Sequence, residues 1–271
     1  MLPGCSDALG ACLIEHAGFD AAYMTGFGAT ASLLGRPDVG LLGMSEMVDQ
    51  ARRIVSAIEL PVVADADTGY GNPINVIRTV QEYERAGVAG VHIEDQVLPK
   101  RCGHMENKQV VDSDVMVAKI AAAVAARQDD DFVVIARTDA RASHGLDDAL
   151  RRADAFVDAG ADVLFVEALQ GEDEIERVAS EFAGHPLLFN WVEGGKTPLL
   201  TYDEISALGF AMIITPLTLL FAATQAMQQV LARLRADGTP AAFADDVMRF
   251  SDFTDLVGLP DVDELGERFG H

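Results

Sequence analysis

Short apolar runs rich in β-branched residues alternate along the chain with longer amphipathic segments. The short runs predict strands at residues 2–5, 21–25, 62–65, 90–94, 132–138, 163–167, 187–192 and 212–215. The longer segments predict helices at residues 7–17, 45–57, 73–86, 112–126, 146–159, 173–182, 202–207 and 217–236. Eight nearly all-apolar strands that each precede a helix indicate a parallel sheet covered by helices on its outside.

The length of the chain favours a closed barrel. It has 271 residues, of which 49% are hydrophobic, enough for one large core. A (β/α)8 TIM barrel fits this length better than an open doubly wound sheet, and the early strands lack the G-x-G-x-x-G fingerprint of dinucleotide-binding sheets. We therefore predict an α/β fold with a catalytic barrel over residues 1–237 and a C-terminal helical extension over residues 238–271.

The formal charge of −23 at pH 7 argues against nucleic acid or an anionic membrane as a partner. The sequence also lacks an apolar run of membrane-spanning length and the basic, then apolar, start of a secretory signal. Two explanations of the acidity stay open: adaptation to high salt, or a GC-rich genome that favours Arg over Lys. Stability in dilute buffer would count against adaptation to high salt.

The chain has three cysteines, Cys5, Cys12 and Cys102. This small, odd number argues against a disulfide framework and for a reducing compartment, so we predict a cytoplasmic protein. Cys5 and Cys12 lie in a glycine- and alanine-rich start, where we expect small core residues.

Two carboxylates, Asp65 and Asp67, end a predicted strand and precede a glycine-rich turn. Buried acids repel each other and lose hydration energy unless a cation holds them. Because oxygen ligands suit a hard divalent cation, the pair predicts a Mg²⁺ site, with Mn²⁺ as the alternative metal.

Polar side chains also end most of the other predicted strands, where the chemistry of a barrel is found. They are Tyr23, Thr25, Glu94, Asp95, Arg137, Asp139, Glu167, Asn190 and Thr215. Because these ends converge on one cavity, we predict a polar active site there. Simpler roles stay open for two of them, since Asp95 could cap a turn and Arg137 could neutralise a buried acid. His92 lies inside a strand and is better explained as a hydrogen-bonded core histidine than as a ligand.

The segment DQVLPKRCGH, residues 95–104, follows the fourth strand and predicts a loop. Within it, Cys102 is flanked by Lys100, Arg101 and His104. Cationic neighbours favour the thiolate form of a cysteine and make it a competent acid, base or nucleophile. The length of the loop and its glycine predict a mobile lid.

Taken together, these motifs resemble the isocitrate lyase/phosphoenolpyruvate mutase superfamily. The shared runs are D-x-D-T-G-Y/F-G (residues 65–71), H-x-E-D (92–95) and K-[KR]-C-G-H (100–104). The runs PDVG (37–40) and IARTDA (135–140) match as well. Members usually carry a helix before the first strand, whereas this chain begins almost at the strand, which is consistent with a misassigned start codon.

The resemblance implies a role for each candidate site residue. Asp65 would bind Mg²⁺ directly, and the water ligands of the metal would be held by Asp38, Asp67 and Glu94. Carboxylate and enolate oxygens of the substrate would be held by Thr25, Gly26, Phe27, Arg137 and Asn190. Tyr23 would lie against the reacting oxygen. The other residues expected in the site are Lys100, Cys102, Gly103, His104, Glu167, Glu193 and Thr215.

The lid thiol distinguishes branches of this superfamily, because members that cleave carbon–carbon bonds have it and mutases generally lack it. The resemblance implies that the substrate hydroxyl loses its proton, the C2–C3 bond breaks, and Cys102 protonates the departing carbanion. The expected enzyme is a Mg²⁺-dependent lyase acting on a 2-hydroxy di- or tricarboxylate, such as 2-methylisocitrate or 2,3-dimethylmalate. Its products would be a 2-oxo acid, such as pyruvate, and a second carboxylate.

Alternatives to this reading stay open. The run EGGKTP (193–198) resembles dimethylmalate- and oxaloacetate-cleaving members, and also carboxyvinyl-carboxyphosphonate phosphonomutase, whose lid carries the thiol. Isocitrate lyases proper are much longer, which disfavours that activity. A non-catalytic barrel that binds oxo acids is a further alternative, against which the intact acids, Arg137 and Cys102 argue. Because members are commonly tetramers, we expect a homotetramer, a dimer of dimers, with C-terminal helices exchanged between subunits.

Overall fold

The computed structural model describes residues 1–103 and 107–270. Its eight parallel strands pair in the order β6-β5-β4-β3-β2-β1-β8-β7, which confirms the predicted barrel. The strands are β1 Leu2–Cys5, β2 Ala22–Met24, β3 Val62–Asp65, β4 Gly90–Glu94, β5 Val133–Thr138, β6 Val163–Val166, β7 Leu188–Asn190 and β8 Met212–Thr215.

Strands β6 and β7 close the barrel through an isolated bridge between Leu164 and Leu187. There the N–H of Leu164 donates to the carbonyl oxygen of Pro186 at 3.0 Å. The other neighbouring strands are paired over at least two register positions each. We call this join between β6 and β7 the seam.

Helices follow the strands along the chain. They are α1 Ala8–His16, α2 Gly26–Leu34, α3 Met44–Val55, α4 Pro73–Arg85, α5 Ser113–Ala126, α6 Ala140–His144, α7 Leu146–Asp158, α8 Glu172–Glu181, α9 Tyr202–Ala207, α10 Thr218–Asp237, α11 Phe250–Leu256 and α12 Leu259–Phe269, with a 3-10 helix at Pro240–Asp246. The sequence did not predict α2. It starts at Gly26, and glycine has a low helix propensity, but the Thr25 hydroxyl caps it by accepting from the N–H of Gly28 at 3.2 Å.

The apolar core forms two clusters, one inside the barrel and one between the strands and the helices. Neighbouring residues Val63 and Ala64 fall in different clusters, as the alternation of side chains along a strand requires. Cys5 is buried in the outer cluster, where burial raises the pKa of its thiol to about 12, and Cys12 packs against the same cluster. Both cysteines therefore lie where the sequence predicts.

The chain divides into two compact units, Met1–Leu219 and Leu220–His271. The first contains all eight strands, and the second contains most of α10 together with α11 and α12. The predicted domain boundary after residue 237 stays a prediction. Within the described residues, every helix is too short or too polar to cross a membrane.

Candidate active site

Every second side chain of a strand faces the inside of the barrel. These inward-facing side chains are apolar in the core and polar at the ends of the strands. The inner cluster includes Val63, Ile135, Phe165 and Leu188. Two residues further along the same strands or just beyond them lie Asp65, Arg137, Glu167 and Asn190. Because side chains two apart share a face, these four polar groups face the mouth of the barrel.

A cleft opens at this end of the barrel. Among the residues lining it, those predicted from the sequence are Tyr23, Thr25, Phe27, Asp38, Asp65, Glu94, Lys100, Cys102, Gly103, Arg137, Glu167 and Asn190. The lining also contains Arg101, Val192, Ile214, Pro216 and Leu217, to which the sequence analysis assigned no site role. Residues two apart on a strand share a face, which relates Leu188 to Asn190. The same spacing leads on to Val192, so the sequence could have predicted that residue in the cleft.

Four predicted residues lie outside this lining, and His104 lies outside the described residues. Gly26 backs onto the cluster of acids, since a Cβ there would lie 2.3 Å from Oδ2 of Asp65. Asp67 is buried beside the lining. Glu193 is exposed and accepts a hydrogen bond from the Thr218 hydroxyl. Thr215 is only partly buried and pairs with Pro3 in the sheet.

Lys100 reaches from the lid into a cluster of buried acids. Its Nζ lies 2.6 Å from Oδ2 of Asp38 and 2.6 Å from Oδ1 of Asp67. Burial opposes its charge, but Asp67, Asp65, Glu94 and Asp38 raise the pKa of the Lys100 ammonium well above its ordinary value. Burial, aided by Asp65 and Asp38 and opposed by Lys100, raises the pKa of the Asp67 carboxyl to about 7. The acids thus outnumber the cation that holds them.

Asp65 is the acid of this cluster that stays ionised most easily. Burial acts to raise the pKa of its carboxyl, but His92, Lys100 and Arg137 outweigh burial and lower it. The N–H of Asp67 donates to Oδ1 of Asp65 at 2.8 Å. Asp67 adopts a φ of 48°, in the left-handed region that non-glycine residues rarely occupy. Such strain is often found at functional sites.

Glu94 presents an unpaired oxygen to the cluster. Its Oε2 lies 3.3 Å from Nε of Arg137, whereas its buried Oε1 has no hydrogen-bond partner among the described residues. Burial raises the pKa of the Glu94 carboxyl well above its ordinary value. A buried orphan oxygen in a cluster where acids outnumber cations is a natural place for a hard cation or for its water.

The donor set fits Mg²⁺ because it consists of carboxylate oxygens. Within residues 1–103 and 107–270, no three His, Cys, Asp or Glu side chains converge closely enough to hold a metal by themselves. Mg²⁺ usually keeps several waters and takes one or two carboxylates from the protein, so a site with few direct protein ligands suits it.

Arg137 provides a fixed cation beside these acids. Its Nη2 lies 3.3 Å from Oε2 of Glu167, and its Nε donates to Oδ2 of Asp139 at 2.9 Å. Burial opposes its charge, but Asp139, Glu94 and Glu167 raise the pKa of the guanidinium well above its ordinary value. Asn190 Nδ2 donates to Oε2 of Glu167 at 3.1 Å. Arg137 and Asn190 therefore offer donors for anionic oxygens.

Tyr23 and His92 form a buried pair under the cleft. The Tyr23 hydroxyl lies 2.7 Å from Nε2 of His92, and this nitrogen lies 3.5 Å from Oδ1 of Asp65. Burial lowers the pKa of His92 to about 4, so the ring is neutral at pH 7. Burial and Asp65 raise the pKa of the Tyr23 hydroxyl well above its ordinary value, so it keeps its proton. The prediction of a hydrogen-bonded core histidine is confirmed.

Asp95 supports the site from outside the cleft. Its carboxylate accepts from the Thr138 hydroxyl at 2.7 Å and from the N–H of Asp139 at 2.8 Å, and Nη1 of Arg152 lies 3.2 Å away. These contacts tie the end of β4 to the end of β5. Asp95 therefore has a structural role, but it bridges two strand ends instead of forming the turn cap considered from the sequence.

Comparison with known proteins gives one family match and many relatives. The family model described as phosphoenolpyruvate phosphomutase matches residues 1–235. The 2,3-dimethylmalate lyase of Eubacterium barkeri is 49% identical over 98% of this chain and 92% of its own. The chloroplastic carboxyvinyl-carboxyphosphonate phosphorylmutase of Arabidopsis thaliana is 43% identical over 100% and 81%. The probable 2-methylisocitrate lyase 1 of Corynebacterium glutamicum is 44% identical over 96% and 85%.

Solved structures give the same picture. A crystal structure of 2,3-dimethylmalate lyase, described as a PEP mutase/isocitrate lyase superfamily member, superposes with a TM-score of 0.95 at 43% identity. The match covers 99% of this chain and 90% of that one. Phosphonopyruvate hydrolase in complex with oxalate and Mg²⁺ superposes with a TM-score of 0.90 at 34% identity, over 99% and 93% of the two chains.

Proposed function

Because the chain belongs to the phosphoenolpyruvate mutase/isocitrate lyase superfamily, we propose that it is a Mg²⁺-dependent lyase of a 2,3-dimethylmalate-like acid. The predicted superfamily and the predicted lyase class are confirmed by its relatives. The observation that carries the specific proposal is the two-sided cleft. One side holds acids and Arg137, and the other is walled by Val192, Ile214 and Leu217, with Cys102 in the same lining.

The polar side of the cleft would bind the half of the substrate that becomes the 2-oxo acid. Mg²⁺ would be held by Asp65, with Asp38, Asp67 and Glu94 around it, and would supply positive charge opposite the oxygens of this half. Arg137 and Asn190 would donate hydrogen bonds to the same half, and the N-terminus of α2 at Gly26 offers backbone N–H groups for its carboxylate.

The proton steps are assigned from the groups that line the cleft. Glu167 is the described lining carboxylate that lies outside the proposed metal set, so we assign it as the acceptor of the proton of the 2-hydroxyl. Tyr23 keeps its proton and would donate a hydrogen bond to the 2-oxygen. As the C2–C3 bond breaks, its electron pair goes to C3, and the thiol of Cys102 protonates that carbon.

The composition of the cleft favours a dicarboxylate with methyl substituents over a tricarboxylate. A third carboxylate needs a cationic partner. Two of the three cations in the lining are already paired with acids: Lys100 with Asp38 and Asp67, and Arg137 with Asp139 and Glu167. Methyl groups instead match the apolar wall, which gains roughly 0.8 kcal/mol for each buried CH₂-sized group.

A phosphonomutase that forms a phosphorus–carbon bond is the second candidate. Its support is the relative of that name, which is 43% identical over the full length of this chain. A lid thiol does not separate the two candidates, but their products do. An oxaloacetate-cleaving enzyme is the third candidate, supported by the EGGKTP run at residues 193–198.

The test is a product screen with purified protein and Mg²⁺, in which NMR follows 2,3-dimethylmalate, 2-methylisocitrate, citramalate and oxaloacetate. We expect pyruvate and propionate from 2,3-dimethylmalate at the highest kcat/KM. Cys102→Ser should abolish turnover and leave binding of Mg²⁺ and oxalate nearly intact, with Cys12→Ser as the matched control. Turnover that survives in Cys102→Ser, or preferred cleavage of another substrate, would contradict the proposal.

The second unit supports a homo-oligomer. Its helices leave large apolar side chains exposed, with 84% of Phe250, 70% of Phe269 and 61% of Val262 accessible. Exposed apolar surface on this scale usually marks an interaction site. We propose a homotetramer, a dimer of dimers in which the C-terminal helices pack on neighbouring subunits, working in the cytoplasm with a small carboxylate as substrate.

A further inference from the structure

The lid is anchored at its base by a short antiparallel ribbon. Gln96 and Val110 form an antiparallel bridge. The N–H of Val97 donates to the carbonyl oxygen of Gln109 at 2.9 Å, and the N–H of Val111 donates to that of Asp95 at 2.8 Å. Residues 95–97 and 109–111 are therefore tied together, and the residue just above this base on the returning strand is Lys108.

Lys108 is a buried cation that the proposed reaction does not use. It is absent from the lining of the cleft, and its side chain is fully buried. Its Nζ lies 2.6 Å from Oδ1 of Asp139 and also donates to the carbonyl oxygen of Gly103. A buried lysine is strongly unfavourable unless it is paired and hydrogen-bonded, so these two contacts hold it in place.

Both partners of Lys108 contact Arg137. Asp139 accepts from Nε of Arg137 at 2.9 Å and from its Nη2 at 3.2 Å. Gly103 lies directly on Arg137, since a Cβ at that residue would come within 2.6 Å of Nη2 of Arg137 and 2.6 Å of Cδ of Glu167. Gly103, Lys108, Asp139 and Arg137 thus form a closed ring of contacts, which we call the lid ring.

We propose that Lys108 is a positioning residue that fixes Cys102 and Gly103, which we call the lid tip, beside Arg137 through Gly103 and Asp139. Cys102 adjoins Gly103 in the chain and lines the same cleft as Arg137, so the ring holds the backbone next to the thiol. The placement itself does not depend on the proposed function. Only its catalytic consequence, protonation by Cys102, rests on that function. A displacement of about 1 Å at a reacting group can cost about 100-fold in rate, so a protein without this tie should still bind substrate but protonate it poorly.

Alkylation of Cys102 by iodoacetamide, followed by peptide mass spectrometry, measures how firmly the lid tip is held. The labelling of Cys5 and Cys12 in the same sample is the internal reference. Lys108→Met should speed the labelling of Cys102 about tenfold, the effect of losing one charged hydrogen bond. The matched control is Lys119→Met. Lys119 is also buried and donates to a backbone carbonyl, that of Thr68 at 2.9 Å, away from the lid ring, so its variant should label Cys102 at the wild-type rate.

Kinetics supply the second readout. In Lys108→Met, kcat for 2,3-dimethylmalate should fall about 10- to 100-fold with little change in KM, because the tie affects the placement of the thiol more than binding. Lys108→Arg, which keeps the cation, should recover part of the loss. A merely structural role would lower the melting temperature and leave the labelling of Cys102 unchanged in the folded protein.

Wild-type labelling of Cys102 in folded Lys108→Met would overturn the proposal. If Lys108→Met does not fold, Asp139→Asn tests the same ring from its other side, and wild-type labelling in that variant would overturn it as well. Labelling needs no substrate, so the two proposals fail separately. Faster labelling in a protein that cleaves no 2-hydroxy acid would refute the proposed function and support the positioning role.

Discussion

The Tyr23 hydroxyl lies 2.7 Å from Nε2 of His92 inside the barrel, and burial holds the pKa of His92 at about 4. An unfolded histidine titrates near pH 6.5. Between these values the unfolded chain binds a proton that the native protein does not, so this term makes stability rise with pH. We expect His92 to remove about 3 kcal/mol of stability as the pH falls from 6.5 towards 4.

Urea unfolding of the wild type and of His92→Gln at pH 7 and pH 4.5 measures this term. The Asp67 carboxyl works in the opposite sense, because its raised pKa of about 7 means that the native state binds the extra proton between pH 4 and 7. Asp67 is present in both proteins, so the difference between them reports His92 together with its effect on Asp65. An equal pH dependence of the free energy of unfolding in both proteins would disprove the assignment.

Lys100→Met should destabilise the metal-free protein and increase its response to Mg²⁺. Asp38 and Asp67 both lose a cation 2.6 Å away, and breaking a buried pair costs about 3–5 kcal/mol. Mg²⁺ would then replace the lost charge without a competing ammonium. Differential scanning calorimetry should therefore give a larger rise in Tm on Mg²⁺ addition for the variant than for the wild type.

The control for that comparison is Arg85→Met, which removes a surface ion pair with Glu82 and should change the free energy of unfolding by less than about 1 kcal/mol. Its response to Mg²⁺ should match that of the wild type. A Tm shift in Lys100→Met equal to or smaller than the wild-type shift would argue that Lys100 and the metal do not share the same acids.

Gly26→Ala should weaken metal and oxalate binding while sparing the fold. The added methyl group would lie 2.3 Å from Oδ2 of Asp65, so the carboxylate must move. Alanine has the higher helix propensity, so α2 itself should form. We expect the Kd for oxalate in the presence of Mg²⁺, measured by calorimetry, to rise about tenfold or more, in line with the cost of a misplaced ligand group.

Gly43→Ala is the matched control, because a Cβ there would meet Oε2 of Glu46 at an ordinary 3.7 Å. Like Gly26, Gly43 lies at the start of a helix, where it is the N-cap of α3. Its variant should bind oxalate as the wild type does. Wild-type affinity in folded Gly26→Ala would show that Asp65 is not the group that holds the metal.

A chain that ends at Gly238 should form a smaller assembly than the full-length protein. The removed residues include Phe250 and Phe269, whose exposed apolar rings we expect to be buried between subunits. Size-exclusion chromatography with light scattering gives the mass of each assembly directly. A truncated protein that keeps the same number of subunits would refute the role of these helices in the tetramer.

The strands could be predicted from the sequence because each is a short apolar run that ends at a polar residue. β1, β3, β4 and β8 begin and end where predicted, and the other strands differ by no more than a few terminal residues. Helix α2 could not be predicted, because Gly26 and Gly28 suggest a turn. The structure needs glycine at residue 26 to leave room for Asp65, so a packing requirement overrides local propensity there.

The site was predictable where the period of two along a strand decides which side chains face inward, as for Asp65 and Arg137. It was less so in the loops, where Glu193 lies on the surface and Pro216 lines the cleft instead of Thr215. Lys108 is one of several polar residues in its loop, so no pattern marks it. Its partner Asp139 is 31 residues away in the sequence. One signal was available: lysine occurs only four times in a chain that otherwise uses arginine.

The seam between β6 and β7 has a consequence for how the barrel behaves when a ligand enters. Glu167 follows β6 and Asn190 ends β7, and their hydrogen bond at 3.1 Å spans the weakest join of the sheet. A substrate that binds either group would break this hydrogen bond and replace it with one to the ligand. Ligand binding should therefore change the rate of amide hydrogen exchange at Leu164. The barrel itself would then report the bound state.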